Sequence, residues 1–349
     1  MGCGFFAQNH MHAWGMLRES HGVEIAAICD PDPERLRITG DAFDIATEDR
    51  YDSAEVMLAA IRPSLDFVDI ATQVDSHAEL VALAASHRLP AICQKPFAAT
   101  MEEGRQMVAT MEEAGVPLMV HENWRWQPSM VALRDLVEDG EIGTPLFTQI
   151  TFRTPYDVYE NQPYLAEVEK FIIDDLGVHL LDTARTLMGE ATSVFCRTQR
   201  VNQAIAGEDV ATIVLQHDRG SADVPAVGGG TTVVTASYAP TEAPFSFPQT
   251  AVRVVGDKGC LTLAEDFEME LHIPGRESQI WREPPQVADW MDPQFAAIQG
   301  SVVNIQRHWC ESLRAGTEPG TSGADNLRTL ELVQAAYESA AKGGELVGV

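Results

Sequence analysis

The 349 residues hold 24 Lys and Arg against 52 Asp and Glu, a formal charge of −28, and such a surface repels nucleic acid and anionic lipid. A hydrophobic share of 45% with 22% charged residues is that of a globular chain, long enough for two domains and a large core. The apolar runs are strand-length, and the polar, glycine-rich start has no signal-peptide pattern. Cys3, Cys29, Cys93, Cys196, Cys260 and Cys310 are scattered without C-x-x-C or His/Cys spacing, so reduced thiols of a cytoplasmic protein and no metal site are expected.

Residues 2–7, Gly-Cys-Gly-Phe-Phe-Ala, fit G-x-G-x-x-[G/A], and a helical pattern follows at 8–19. In that motif the first glycine allows a tight turn and the second lets backbone approach a pyrophosphate. The third small residue packs helix on strand, and the phosphate rests on the helix N-terminus. Gly2, Gly4, Phe5, Phe6 and Ala7 are therefore candidate cofactor contacts, although a lone match of this kind is weak. Residues 23–29 read as a buried strand ending at Asp30, whose carboxylate suits both hydroxyls of an adenosine ribose. Pro31-Asp32-Pro33 offers no arginine for a 2′-phosphate, so NAD is expected over NADP. Read as plain structure, Asp30 caps the helix that starts at Pro33. A strand of about five or six residues should lead into Gly2, and the expectation is a native product starting about five to eight residues upstream with an apolar, β-branched segment.

Helices at 33–43 and 53–61 flank a short segment near Tyr51. A strand at 66–71 ends at Thr72, a helix spans about 76–87, and the run Pro90-Ala91-Ile92-Cys93 leads to Gln94-Lys95-Pro96. A helix at 100–114 and a strand at 116–121 complete an alternation that specifies a parallel, doubly wound sheet. Ligands bind such sheets beyond the carboxyl ends of the strands, where Lys95 falls. A lone lysine at a strand end more often snorkels to solvent, yet a buried one is costly unless it has a use.

Past Glu122 the texture changes. Asn123-Trp124-Arg125-Trp126-Gln127-Pro128 leads into a helix at 130–138, and a strand at about 146–153 follows Gly140 and Gly143. A polar, aromatic loop at 154–170 holds Tyr156, Tyr159 and Tyr164, and a helix at 174–187 ends before Gly189. Strand-like segments at 192–201, 210–217, 231–238, 251–255 and 260–263, parted by Gly228-Gly229-Gly230 and Gly256-Asp257, predict an open, mainly antiparallel sheet. Amphipathic helices at about 293–315 and 323–342 close the chain. Asp175 and His179 share one face of a helix at this spacing. A carboxylate beside an imidazole orients it and supports the imidazolium formed when it takes a proton. As an ordinary surface pair they would contribute only roughly 0.2–0.5 kcal/mol. Asp174 and Asp182 rival Asp175, with Asp182 expected to pack or cap locally. Trp124 and Trp126 suit either a sugar face or a core; Asn123 and Arg125 suit polar contact. His10 and His12 are expected to be structural, and His77 fits either a cofactor contact or a helix cap.

In this order, GCGFFAQNH, CDPDPERL, ATQVDSH, CQKPF, NWRWQP, GEIG and DDLGVHLLD resemble the Gfo/Idh/MocA oxidoreductase family, and SGADNLRTLELVQAAYESAAKG resembles its closing helix. The resemblance implies an NAD-binding Rossmann domain, residues 1–122, and a substrate-binding α/β domain, residues 123–349, whose open sheet builds a dimer or tetramer. Lys95 matches the lysine of the family's E-K-P motif; Asp175 and His179 match its D-x-G-x-H pair. By the same likeness Thr72, His77, Gln94 and Lys95 belong with the glycine loop and Asp30 on the cofactor side. Asn123, Trp124, Arg125, Tyr164, Lys95, Asp175 and His179 belong on the substrate side. One departure is Gln94 in place of glutamate, which withdraws a carboxylate that would support the ammonium form of Lys95 and weakens the expected nicotinamide-ribose contact. GFFAQNHMHAW, ICQKPFA and VHENWRWQ are similar to members that oxidise a branched aldose to its lactone with NAD. The implied activity is NAD-dependent dehydrogenation of a neutral aldose. A cyclitol or polyol dehydrogenase, an NAD-dependent glycosidase and a cofactor-sensing regulator are the alternatives. A regulator could dispense with Lys95, Asp175 and His179, and all three are present.

Overall fold

In the computed structural model the described residues are 1–218, 229–243 and 248–349, and they form two compact units. One unit is Met1–Asn123 with Ser301–Leu330; the other is Trp124–Gly300 with Glu331–Val349.

The first unit alternates helix and strand: α1 (Ala7–His21), β1 (Ile28–Cys29), α2 (Pro33–Ala42), β2 (Arg50–Tyr51), α3 (Ala54–Ile61), β3 (Val68–Ile70), α4 (His77–Ser86), β4 (Ala91–Gln94), α5 (Met101–Ala114) and β5 (Leu118–His121). Local chemistry sets the helix starts. Asp32 accepts from the amides of Glu34 and Arg35 with Pro33 in the first turn of α2, Ser53 accepts from Val56, and Thr100 accepts from Glu103. Strand β4 is buried along its whole length, as a central parallel strand must be when helices cover both faces.

Parallel pairing joins β3–β4–β5 in one sheet and β1–β2 in another. Met1 and Gly2 lie between the two. The Met1 amine donates to the Asp69 carbonyl at 2.7 Å, the Met1 carbonyl accepts from the Ala71 amide at 2.8 Å, and the Gly2 amide donates to the Cys29 carbonyl at 2.7 Å. Beyond them a groove of about 580 Å³ opens, lined by Ile25, Ala27, Ile28, Phe67, Val68 and Asp69 among others. The strands expected at 23–29 and 66–71 accordingly contract to Ile28–Cys29 and Val68–Ile70. Their facing edges border the groove, so the ladder that would hold the outer residues extended ends early.

The second unit contributes α6 (Pro128–Glu138), β6 (Pro145–Arg153), α7 (Val178–Met188), β7 (Ala191–Gln199), β8 (Val210–His217), β9 (Gly230–Ser237), β10 (Ala251–Gly256), β11 (Cys260–Leu263), β12 (Glu268–His272) and β13 (Gln279–Arg282). Helices α8 (Ala296–Ala315) and α9 (Gly323–Ala341) and strand β14 (Val347–Gly348) follow. The sheet runs β13-β12-β11-β10-β6-β9-β8-β7-β14, with β6–β9 parallel and the other pairs antiparallel. Alternate residues such as Ile150, Phe152, Ile213, Leu215, Val234 and Val254 turn inward and share a core with Leu180, Leu181, Ala184 and Leu187 of α7. The regular helix expected from residue 174 starts at Val178 instead, because a π-helical turn, Ile173–Gly177, precedes it. Such single wide turns recur at functional sites. Of the expected glycine turn at 228–230, Gly228 lies outside the described residues. Among the described residues no helix is long and apolar enough to cross a membrane.

Candidate active site

The glycine loop is built to admit a dinucleotide. Gly2 has φ +90°, and a Cβ there would lie 2.4 Å from the Ala71 carbonyl oxygen, so no other residue fits. At Gly4 a Cβ would meet nothing within 4 Å, which leaves the space a phosphate needs. No side chain caps the N-terminus of α1 and no acidic residue occupies its first turn, so its amides and dipole favour an anion. Ala7 is buried, Phe6 precedes the helix, and Phe5 is 60% exposed. Asp30, buried at the end of β1, accepts from the Cys3 amide with Oδ2 (2.8 Å) and from the Asp32 amide with Oδ1 (2.9 Å). It therefore ties the glycine loop to the strand, and the helix cap is Asp32. Each carboxylate oxygen keeps a second lone pair for a ribose hydroxyl. These features fit NAD.

Lys95 stands one residue past β4, partly buried, with a cis peptide to Pro96. Its amide donates to Gln94 Oε1 at 2.6 Å, and Gln94 Nε2 lies 3.2 Å from His10 Nε2. With Oε1 engaged by that amide, the Gln94 amide nitrogen donates, so His10 accepts at Nε2 and carries its proton on Nδ1. That proton points to Asp69, whose oxygens lie at 2.9 and 3.1 Å; Trp14 Nε1 also donates to Asp69, at 2.6 Å. His10 stacks on His121, with centroids 4.0 Å apart. Burial works against the Asp69 carboxylate, but the hydrogen bond from His10 helps to hold the carboxyl below its usual range. The Gln94 side chain is thus turned into the protein, and the His10–Asp69–Trp14 cluster escaped the sequence reading. Its signal was an aspartate inside an apolar strand, Val68-Asp69-Ile70.

His77 is fully buried, with Nδ1 3.2 Å from the Phe97 carbonyl and Nε2 3.2 Å from the Thr72 carbonyl. It joins the ends of β3 and β4, and burial pushes its pKa down. Thr72 accepts from Ser76 Oγ at 2.8 Å. Asn123 is also buried and donates to Ser301 Oγ at 2.6 Å, so its amide serves the first unit's own packing.

In the second unit, His179 lies in the first turn of α7 and its ring stacks on Trp124 at 4.6 Å, 18° from parallel. Trp124 is held by Nε1 donating to Thr250 Oγ1 at 2.9 Å. The expectation that Trp124 offers a face to sugar changes here, since one face supports the imidazole and the residue is 4% exposed. Arg125 grips Asp182 with two bonds, Nε to Oδ2 at 2.6 Å and Nη2 to Oδ1 at 2.5 Å. Arg185, bonded to Glu190 at 2.8 and 3.0 Å, stands 3.7 Å from the same Asp182. Arg125 thereby fastens the Trp124 turn to α7, and Asp182 is its anchor rather than a local cap.

Asp175 sits inside the π turn, its amide bonded to the Phe171 carbonyl at 2.8 Å. The start of that turn is fixed by a half-buried pair. Tyr337 accepts from the Asp174 amide at 3.2 Å and donates to Glu208 Oε1 at 2.9 Å, and Glu208 also accepts from the Phe171 amide at 3.2 Å. Burial pushes the Glu208 carboxyl up. Tyr164, on a short turn within the 154–170 loop, is half exposed and donates to Gln162 at 3.1 Å. No group of three or more metal-ligating side chains occurs among the described residues.

A model of an oxidoreductase family with an NAD-binding Rossmann fold matches residues 1–122, and a model of the GFO/IDH/MocA C-terminal domain matches residues 130–262. A D-apiose dehydrogenase of Paraburkholderia graminis is 52% identical over 98% of this chain and 87% of its own length. A D-apiose dehydrogenase of Rhizobium rhizogenes is 47% identical over 98% of this chain and 94% of its own. The crystal structure of an oxidoreductase from Agrobacterium radiobacter, in complex with NAD+, L-tartaric acid and magnesium, superposes with a TM-score of 0.91 at 47% identity, over 99% of this chain and 96% of that one.

Proposed function

The chain belongs to the Gfo/Idh/MocA oxidoreductase family, and from that premise we propose that it is the NAD-dependent dehydrogenase that oxidises D-apiose to its lactone. NAD-dependent sugar dehydrogenation is the activity of the class, and NAD is the cofactor. The observation that carries the choice of sugar is the near-full-length likeness to two D-apiose dehydrogenases.

Gly2, Gly4, Ala7 and the amides opening α1 would hold the pyrophosphate, with Asp30 on the ribose. When bound, NAD would supply the acceptor for a hydride from the carbinol carbon. His179 accepts the hydroxyl proton, held in orientation by Trp124. Asp175 stabilises the imidazolium that results, and Lys95 donates a hydrogen bond to the reacting oxygen. General-base help of this kind contributes about 10²–10⁴-fold. Tyr164 meets the sugar from its loop. Self-association through the open face of the nine-stranded sheet, where Phe147 is 36% exposed, and a cytoplasmic setting belong to the same proposal.

The test is absorbance at the NADH band over a panel of aldoses and cyclitols. Steady NADH accumulation with D-apiose ahead of the panel supports the reading. Sugar release from a glycoside without net NADH would replace it with a glycosidase.

A further inference from the structure

The helical stretch that carries Asp175 and His179 starts without a cap of its own. Ile172 at its start makes no side-chain cap bond, and the amides of Phe171, Ile172, Ile173 and Asp174 precede the first intrahelical bond, from the Asp175 amide to the Phe171 carbonyl. Glu208 and Tyr337 take all four. The Phe171 amide donates to Glu208 Oε1 at 3.2 Å, the Ile172 amide to the Glu208 carbonyl at 3.2 Å, and the Ile173 amide also supports the Glu208 carboxylate. Tyr337 Oη accepts from the Asp174 amide at 3.2 Å and donates to Glu208 Oε1 at 2.9 Å. Glu208 is itself held in place. A Cβ on Gly207 would lie 2.7 Å from the Val168 carbonyl oxygen, and the Ala206 amide donates to the Ala166 carbonyl at 2.8 Å. Tyr337 belongs to α9, and Lys170 Nζ lies 4.9 Å from its ring centroid.

On the reading that Asp175 and His179 move the proton, we propose that Glu208 and Tyr337 are positioning residues for them, holding the turn Ile173–Gly177 wide. In that turn the Val178 amide reaches back five residues to the Ile173 carbonyl, so each residue advances less around the axis than in an α-helix. The angle between Asp175, inside the turn, and His179, just beyond it, therefore depends on the turn staying wide. In a regular α-helix the Asp174 amide would turn to the Lys170 carbonyl, four residues back. The Tyr337 hydroxyl holds that amide instead. Because its proton goes to Glu208, a lone pair is left for Asp174, so the position needs a group that donates and accepts at once. The Glu208 carboxylate also meets the positive end of the helix.

The experiment measures kcat and the KM for NAD, with the sugar that wild type uses fastest, in Tyr337→Phe, Glu208→Ala, Glu208→Gln, His179→Ala and the double variant of Tyr337→Phe with His179→Ala. Tyr337→Phe keeps the ring beside Lys170 and removes the hydroxyl alone. Its kcat should fall by about tenfold or more while the KM for NAD stays near wild type. Glu208→Gln keeps one oxygen for Phe171 and Tyr337 and should recover most of the rate lost in Glu208→Ala. Because the effect passes through His179, adding Tyr337→Phe to His179→Ala should leave kcat within about twofold of His179→Ala. Wild-type turnover in His179→Ala would overturn the reading of the pair and the positioning role with it. With His179→Ala impaired, wild-type kcat in Tyr337→Phe or in Glu208→Ala overturns the positioning role alone. So does a Tyr337→Phe loss of the same factor with and without His179.

Discussion

Trp124 lies flat against His179, its ring centroid 4.6 Å away and its plane inclined by 18°. Since Trp124 is itself fixed through Thr250, the imidazole cannot swing without losing a face of contact. Replacing Trp124 with Leu should lower kcat by about tenfold or more, because small misplacements of a catalytic group are expensive, while NAD affinity stays close to wild type. Trp124→Phe keeps a stacking face and should recover most of the rate. A Trp124→Leu enzyme with normal kcat and only a lower Tm would reduce the stack to packing.

Gln94→Glu tests the link between His10 and Lys95. A carboxylate at this position needs a proton from His10 Nε2 while Asp69 keeps the one on Nδ1, so His10 becomes an imidazolium. The new charge also favours the ammonium form of Lys95. The alkaline limb of the pH profile of kcat/KM should move to higher pH. A profile that overlays wild type would show that the residue acts through packing alone.

Arg125→Met takes from Asp182, which is fully buried, its two-bonded guanidinium and leaves it beside Arg185, 3.7 Å away. Removing one partner of a buried pair costs about 3–5 kcal/mol, so the urea midpoint should fall sharply. Adding Asp182→Asn removes the buried charge that has lost its two-bonded partner and should recover part of the loss. Additive losses in the double variant would mean that the two residues act independently.

His77 gives the first unit an acid-side weakness. Burial lowers its folded pKa, so the native state keeps it neutral where the unfolded chain takes up a proton. Its contribution is complete above the ordinary histidine value of about 6.5 and is lost as pH falls through that value toward the folded one. Tm measured from pH 7 downward should decline more steeply in wild type than in His77→Gln. Parallel curves would contradict the assignment.

The alternation of strands and helices, the glycine loop and the D-x-G-x-H pair could all be read from residue order, because periodicity and motif spacing are local properties. Strands β12 and β13 escaped, although Glu268-Met269-Glu270-Leu271-His272 alternates clearly once noticed. The π turn at Ile173–Gly177 escaped for a different reason. Its hydrogen bonds depend on Tyr337 and Glu208, far away in sequence. The partners of Arg125 and Gln94 were equally illegible, since Asp182 and His10 are 57 and 84 residues distant. Long-range pairing decides whether a polar side chain faces a ligand or the protein, and one sequence does not state it.

The most direct test of the central claim is NADH formation from D-apiose and NAD by wild type beside His179→Ala. Steady accumulation by wild type, with a loss of about 10²–10⁴-fold in kcat for His179→Ala and unchanged NAD binding, is the predicted result. A His179→Ala enzyme that turns over D-apiose at the wild-type rate, or a wild type that makes no NADH from it, would contradict the account.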